Sequence, residues 1–162
     1  MAILFCGVKI CITTRAGEMQ NKLVFVDTNV WVARTLESHI FYERARNILE
    51  RLVEQNEPLA ISGQVIREFI SVCSTGRNLS RALAWEELQQ QIEAMRAHSI
   101  FLSETEVTSL KLMDLGSRYV VIGKQIHDAN IVATMLTHAA TRLATFNPDD
   151  FKRFTEIEVV VP

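Results

Sequence analysis

The stretch Phe25-Val26-Asp27-Thr28-Asn29-Val30-Trp31 decides the fold of this chain. An apolar run, Leu23 to Val26, ends abruptly in the carboxylate of Asp27, and an amphipathic pattern begins at Asn29. This order predicts a buried strand whose last residue delivers an acid to the strand's carboxyl end. In open parallel α/β sheets, ligands bind at that edge of the sheet.

Length and composition indicate one globular domain with a real hydrophobic core. The chain has 162 residues and a mass of 18.4 kDa, and 48% of its residues are hydrophobic. The formal net charge is −2, so no global basic field exists to attract nucleic acid. Any binding of nucleic acid must therefore come from a local basic patch or from metal ions.

Cysteine and histidine usage argues against a disulfide scaffold and against a zinc site. The cysteines are Cys6, Cys11 and Cys73, an odd number without a Cys-x-x-Cys pair, which is typical of a reducing cytoplasm. No histidine pair has the spacing of a zinc-binding helix. No apolar run approaches the roughly 20 residues that a membrane span needs, and we expect a cytoplasmic protein without a membrane partner.

Residues 1–20 differ from the rest of the chain and form an extra N-terminal segment. A strand-like stretch, 1–12, runs into polar residues without a helical period, and Met19 stands just before the apolar run that leads to Asp27. One hypothesis is that Met19 is the true start, and the alternative is that residues 3–12 form an extra edge strand. The remaining residues, 21–162, are predicted to form a single domain.

Strand-like and helix-like segments alternate along this domain, which predicts an α/β fold with a mostly parallel sheet and helices on both faces. Ser80 is a predicted N-cap, and Ser103 with Glu106 is a predicted capping box. The predicted strands are 23–26, 59–62, 100–102, 143–145 and 157–161. Beyond a short turn near Trp31, the predicted helices are 39–55, 64–74, 80–97, 104–119 and 127–140. The apolar stripes of helices 39–55 and 80–97 could serve the core or an interface.

Two acids in the first half of the domain lie where a carboxylate either destabilises the fold or serves a function. Asp27 follows a buried strand, although an Asp there could simply cap the next helix. Glu68 lies on or beside the apolar stripe that contains Val65 and Val72. Because burial of an unpaired carboxylate costs several kcal/mol, Glu68 needs a cation, a hydrogen-bond network or a metal.

Two further acidic points follow in the second half. Asp128 begins a helix whose small residues, Ala129 and Ala133, allow close approach to the sheet, although an acid there could also simply stabilise the helix dipole. The segment 144–151, Ala-Thr-Phe-Asn-Pro-Asp-Asp-Phe, reads as a strand end followed by a polar turn. In a doubly wound sheet these places converge on one edge. Clustered carboxylates without matched lysines suit hard divalent cations such as Mg²⁺ or Mn²⁺.

At four places, in order, the chain resembles the PIN-domain ribonucleases, in particular the VapC-type toxins of toxin–antitoxin modules. Asp27-Thr28-Asn29 matches the family's first acidic motif, and Glu68 in Arg67-Glu68-Phe69 matches its helical glutamate. Asp128-Ala129-Asn130-Ile131-Val132-Ala133 matches the third acid with its small-residue helix. Thr145-Phe146-Asn147-Pro148-Asp149-Asp150-Phe151 matches the closing motif. The resemblance covers about residues 22–161.

The resemblance implies a PIN-like three-layer fold and a divalent-metal-dependent endoribonuclease, with Mg²⁺ or Mn²⁺ held by Asp27, Glu68 and Asp128. Asn29 and Thr145 would position these ligands or the substrate. Asn147 departs from the family, which often has Asp there. The fourth catalytic residue is therefore open among Asn147, Asp149 and Asp150, with Asp150 grouped with the catalytic acids. The implied partners are an RNA substrate, a small cognate antitoxin and a second copy of the chain.

The same residues argue against three other interpretations. A haloacid-dehalogenase-type phosphatase requires Asp-x-Asp, and Asn29 cannot act as its general acid. A phospho-receiver domain requires an acidic pair directly after the first strand, which Asp27-Thr28-Asn29 lacks. The third is a catalytically inactive PIN-like binding module, which would have no reason to keep three clustered acids.

Overall fold

The computed structural model describes residues 22–76 and 79–162. The expectations about residues 1–20, including the start at Met19 and the extra edge strand, lie outside this range. Five parallel strands form one sheet in the order β3-β2-β1-β4-β5. They are β1 (Val24–Val26), β2 (Leu59–Ser62), β3 (Ser99–Leu102), β4 (Arg142–Ala144) and β5 (Glu158–Val160).

Seven helices connect or follow these strands within the described residues. They are α1 (Thr28–Thr35), α2 (Tyr42–Glu54), α3 (Gly63–Thr75), α4 (Trp85–Ala97), α5 (Glu106–Arg118), α6 (Gln125–Thr137) and α7 (Pro148–Phe151). Helix α3 stops at Gly76, whose φ of 68° is the left-handed conformation that glycine adopts without strain. None of the helices in the described segments is long and apolar enough to cross a membrane.

The strand order contains a topological switch point between β1 and β4. The chain first moves from β1 outward to β2 and β3, and then returns to the other side of β1 to add β4 and β5. Because such crossovers are right-handed, α1–α4 cover one face of the sheet and α5–α7 cover the other. The three-layer α/β prediction is thereby confirmed, and the crevice at this switch point is the expected ligand site.

The core lies between the sheet and both helical layers. The stripes of α2 and α4 belong to this core and do not form an exposed interface, because Ile48, Leu49, Leu52, Leu88 and Met95 are all buried. Strands β1 and β2 are buried along their full length, as expected for the centre of a parallel sheet.

Two predicted helix caps are wrong. Helix α4 begins at Trp85, and the carboxylate of Glu87 reaches back to accept from the amide of Ala84 at 2.9 Å, so Ser80 caps nothing. Helix α5 is capped at Thr105 by Thr108, whose Oγ1 accepts from the Thr105 amide at 3.1 Å. In both cases a residue in the first turn outcompetes an earlier serine for the free amides.

Candidate active site

Asp27 stands at the carboxyl end of β1, and only 7% of its surface is exposed. It occupies the N-cap position of α1 but makes no side-chain capping hydrogen bond. Its Oδ2 instead accepts from Thr145 Oγ1 and from Asn29 Nδ2, each at 2.7 Å. The simple capping interpretation of Asp27 therefore does not describe its carboxylate.

Asn29 and Thr145 fasten the ends of β1 and β4 to each other across the switch point. Asn29 Nδ2 also donates to Thr145 Oγ1 at 3.0 Å, and Asn29 Oδ1 accepts from the amide of Phe146 at 3.0 Å. Thr145 Oγ1 accepts in addition from the amide of Asn147 at 3.0 Å. These contacts fix one oxygen of Asp27 and hold the loop after β4 against it.

Glu68 extends from α3 toward the same edge and is half-buried. Thr28 Oγ1 donates to its Oε2 at 2.9 Å, and Gln64 Nε2 donates to its Oε1 at 2.7 Å. The sequence predicted that this carboxylate needs a cation, a hydrogen-bond network or a metal, and the structure shows the hydrogen-bond network. Both donors are neutral, so the negative charge of Glu68 is oriented without being cancelled.

Sequence reasoning missed Gln64, which joins α3 to α6. Its side chain is 4% exposed, its Nε2 also donates to the carbonyl of His127 at 3.0 Å, and its Oε1 accepts from Asn130 Nδ2 at 2.7 Å. A signal was available, because Gln64 precedes Glu68 by one helical turn and so shares its face. Gln64 ties the Glu68 carboxylate to the helix that carries Asp128.

Asp128 and Asp150 approach from the other side of the sheet edge. Asp128 lies in the first turn of α6 and is half-buried, while Asp150 extends from α7 and is exposed. The polar turn predicted at 147–150 is in fact the short helix α7, with Pro148 at its first position. Its other acid, Asp149, turns away and pairs with Lys152 at 2.8 Å.

Four of the acids border a common cleft with a volume of about 460 Å³. It brings together Asp27, Glu68, Asp128 and Asp150, whereas Asp149 is not among the residues that line it. The remaining lining residues are Thr28, Asn29, Val32, His39, Phe41, Ser71, Val72, Ile131, Phe146, Asn147 and Phe151. The cleft lies at the carboxyl ends of β1 and β4, between which the strand order reverses direction.

Burial and mutual repulsion raise the pKa of two of these acids. Burial, reinforced by the charges of Glu68 and Asp128, raises the pKa of Asp27 to about 6, against the hydrogen bond from Thr145. Burial, reinforced by the charges of Asp150 and Glu68, raises the pKa of Asp128 to about 6. The positive charge of Arg153 opposes this second shift only in part. Its guanidinium donates to Gln125 Oε1 at 2.7 Å.

The donor set of the cleft fits a hard divalent cation. In the segments 22–76 and 79–162, no three His, Cys, Asp or Glu side chains form a ready-made cage for one ion. Mg²⁺ does not require such a cage, because it keeps several waters and is bound through one or two carboxylates plus substrate phosphate. The repulsion that raises the pKa of Asp27 and Asp128 is the kind that such an ion removes.

Three arginines that could attract a phosphate are engaged with acids. Arg67 contacts Glu104 at 3.3 Å, Arg81 contacts Glu87 at 2.6 Å, and Arg142 contacts Glu57 at 2.8 Å. Of these, Arg67 stays two-thirds exposed beside the cleft.

Comparisons with known proteins agree with this geometry. The family model described as "PIN domain" matches residues 24–157. VapC ribonuclease Mb2897 of Mycobacterium bovis and Ribonuclease VapC43 of Mycobacterium tuberculosis are each 29% identical over 127 residues, which is 75% of this chain and 84% of theirs.

Solved structures share the fold. VapBC2 from Rickettsia felis, bound to a promoter DNA fragment, superimposes with a TM-score of 0.64 at 20% identity over 86% of this chain and 98% of its own. VapBC-1 from nontypeable Haemophilus influenzae gives 0.64 at 23% identity, over 86% of this chain and 97% of its own.

Proposed function

The chain belongs to the PIN-domain family, and from that premise we propose that it is a divalent-metal-dependent endoribonuclease, the toxin of a type II toxin–antitoxin system. One observation carries the proposal. Asp27, Glu68, Asp128 and Asp150 line one cleft at the switch point of the sheet. The carboxylates of Asp27 and Glu68 accept hydrogen bonds from neutral donors and not from lysines or arginines.

The chemistry follows from what these side chains can hold. Asp27, Glu68 and Asp128 would bind Mg²⁺ or Mn²⁺, with Asp150 as the fourth acid of the cleft. When bound, such an ion lowers the pKa of a coordinated water and offsets charge on the phosphodiester. Thr145 and Asn29 keep the Asp27 carboxylate in one orientation, and Thr28 and Gln64 do the same for Glu68.

RNA is the proposed substrate because the similar curated proteins are named ribonucleases. The acidic cleft alone does not separate RNA from DNA, since both present a phosphodiester. Asn147, which also lines the cleft, would contact substrate or water and not replace a carboxylate.

The proposed protein partners are a small antitoxin and a second copy of the chain. Several solved structures with this fold are complexes titled VapBC or toxin–antitoxin, which supports the antitoxin. For the second copy, α5 presents Val107, Leu110 and Met113 at three-residue spacing with 57–66% exposure. An apolar row of this kind is typical of an interface. We place the protein in the cytoplasm, where its RNA substrate and antitoxin would be.

The decisive experiment is cleavage of a mixed RNA pool by the purified chain in Mg²⁺ or Mn²⁺. We expect cleavage that EDTA abolishes. Asp27→Asn should also abolish the cleavage, and it should relieve the growth arrest that expression of the chain causes in bacteria. Asp149→Asn is the matched control, because Asp149 is an acid next to the cleft that pairs with Lys152. Cleavage or growth arrest that is equal in Asp27→Asn and wild type would contradict the proposal.

A further inference from the structure

Two aromatic rings line the same cleft as the acids and take no part in holding them. Phe41, just before α2, and Phe146, just after β4, stack with their centroids 4.9 Å apart and their planes 20° apart. Both are only partly buried and both border the cleft. We call this pair the aromatic wall.

The aromatic wall is supported from outside the cleft by an arginine. The guanidinium of Arg44 lies over both rings, 5.4 Å from the centroid of Phe41 and 5.4 Å from that of Phe146. Arg44 is itself anchored, since its Nη2 and Nε donate to the carbonyl oxygen of Pro162 at 2.6 and 3.1 Å. The rings are therefore held in one orientation, and a positive charge lies beside an otherwise acidic site.

The aromatic wall is also fixed in position relative to the acids. The amide of Phe146 donates to Asn29 Oδ1 at 3.0 Å, and the amide group of the same Asn29 donates to Asp27 Oδ2 at 2.7 Å. Two hydrogen bonds thus join the backbone of Phe146 to the carboxylate at the end of β1. A group that rests on the wall would sit at a set distance from a phosphodiester held at the acids.

We propose that Phe41 and Phe146 form a nucleobase-binding subsite for single-stranded RNA. The inference rests on the ribonuclease function proposed above and adds how the substrate is held. Unpaired bases stack on aromatic side chains and on arginine planes, whereas the bases of a duplex are hidden in its stack. A nucleotide whose phosphate meets the acids would place its base against the wall, and the Arg44 guanidinium would face the neighbouring backbone.

The test compares two probes of equal length: a mixed-sequence single-stranded RNA pool and a ribose–phosphate oligomer without bases. Binding is measured by fluorescence anisotropy in the Asp128→Asn background with Mg²⁺, so that the RNA stays intact. We expect the RNA to bind about tenfold or more tightly than the abasic oligomer. Phe41→Leu and Phe146→Leu should each reduce this preference, and Phe41→Trp should keep it.

The control is Phe101→Leu. Phe101 is another phenylalanine with an arginine over its ring, Arg96 at 6.0 Å, but it lies on β3 and does not line the cleft. Its variant should bind both probes like the Asp128→Asn parent. Melting temperatures close to that parent, together with the retained preference of Phe41→Trp, separate loss of stacking from loss of folding.

Two results would overturn the subsite. One is equal affinity for RNA and abasic oligomer, and the other is an unchanged preference in both leucine variants. If the wild type still cleaves the RNA pool in either case, the subsite is wrong and the ribonuclease function stands. A wild type that neither binds nor cleaves RNA overturns both.

Discussion

The hydroxyl of Thr145 donates a 2.7 Å hydrogen bond to Oδ2 of Asp27, a residue 118 positions earlier in the chain. The bond spans the switch point of the sheet, because Asp27 follows β1 and Thr145 follows β4. It favours the ionised carboxylate and is the largest influence that opposes burial on the pKa of Asp27. Thr145 therefore keeps a buried acid available to a cation.

The first prediction is that Thr145→Val weakens binding of divalent ions and raises the pKa of Asp27 further above about 6. Protons would then compete with metal over a higher pH range, so the loss of Mn²⁺ affinity should be larger at pH 6 than at pH 8. Calorimetric titration with Mn²⁺ at both pH values measures this. Thr137→Val is the control, because its hydroxyl only donates to the Ala133 carbonyl on its own helix. An equal loss in both variants would contradict a specific role for Thr145.

The second prediction concerns the stability of the metal-free protein. The pKa of Asp27 rises from 3.8 to about 6 on folding, so between these values the folded state binds more protons than the unfolded state. Stability contributed by this group is present below about pH 4 and is lost as pH rises through about 6. The loss is at most about 3 kcal/mol. Asp128 shifts in the same direction.

Urea unfolding in EDTA, repeated from pH 5 to pH 8, measures this dependence. Wild type should lose stability across the interval, and Asp27→Asn should show a flatter profile because it cannot ionise at that position. A wild-type profile that instead rises with pH would mean that other groups dominate the titration.

The residues near strand ends could be predicted from sequence because the signals are local. A buried apolar run followed by an acid specifies β1 and Asp27, and β2 has the predicted limits of 59–62. The contact of Gln64 with Asn130 could not be predicted, because the two residues are 66 positions apart and meet only after the sheet brings α3 and α6 together. The aromatic wall is likewise a product of tertiary packing.

Other failures of prediction arose where two local signals compete. Asn-Pro-Asp is a common turn sequence, but Pro is also favoured at the first position of a helix, which is its place in α7. Adjacent acids then point in different directions, so sequence alone grouped Asp150 with the catalytic acids but left Asn147 and Asp149 open as alternatives. At α4, Ser80 was a plausible cap until Glu87 proved to reach the Ala84 amide.

The third prediction separates these adjacent acids. Asp150 lines the cleft and contributes to the raised pKa of Asp128, whereas Asp149 pairs with Lys152 at the surface. Asp150→Asn should lower RNA cleavage by an order of magnitude or more, and Asp149→Asn should stay within about twofold of wild type, since exposed ion pairs contribute about 0–1 kcal/mol. Steady-state cleavage rates in Mn²⁺ provide the comparison. The reverse order of effects would move the fourth site residue to Asp149.

The fourth prediction is that Gln64 positions Glu68. Gln64→Leu removes the 2.7 Å donor to Glu68 Oε1 and the 2.7 Å acceptor of Asn130 Nδ2, which keeps only Glu104 Oε2 at 3.2 Å, so we expect a loss of about 1–3 kcal/mol in stability. A positioning role predicts in addition a drop in Mn²⁺ affinity at a temperature where the variant is fully folded. Gln91→Leu is a control for the amide chemistry, because Gln91 lies on α4 and does not line the cleft. Unchanged Mn²⁺ affinity in folded Gln64→Leu would leave Gln64 a structural residue only.

The last prediction concerns the electrostatic repulsion among the acids of the cleft. Repulsion among Asp27, Glu68 and Asp128 destabilises the metal-free fold, and a bound divalent ion removes it. An ion that binds only the folded state stabilises it by about 2.7 kcal/mol at a hundredfold excess over its Kd, so Mn²⁺ should raise the wild-type melting temperature. Asp128→Asn should abolish cleavage and reduce the Mn²⁺ response, yet leave the metal-free protein as stable as wild type or more so.

Asp114→Asn is the matched control for Asp128→Asn, because Asp114 pairs with Arg118 on the surface of α5. That variant should keep both cleavage and the full Mn²⁺ response, with stability changed by less than about 1 kcal/mol. An acid that serves a buried salt bridge behaves in the opposite way, since its removal strands the partner cation and destabilises the fold. Marked destabilisation of metal-free Asp128→Asn and Glu68→Gln, together with no effect of Mn²⁺ on wild-type melting, would make these acids structural and refute the nuclease mechanism.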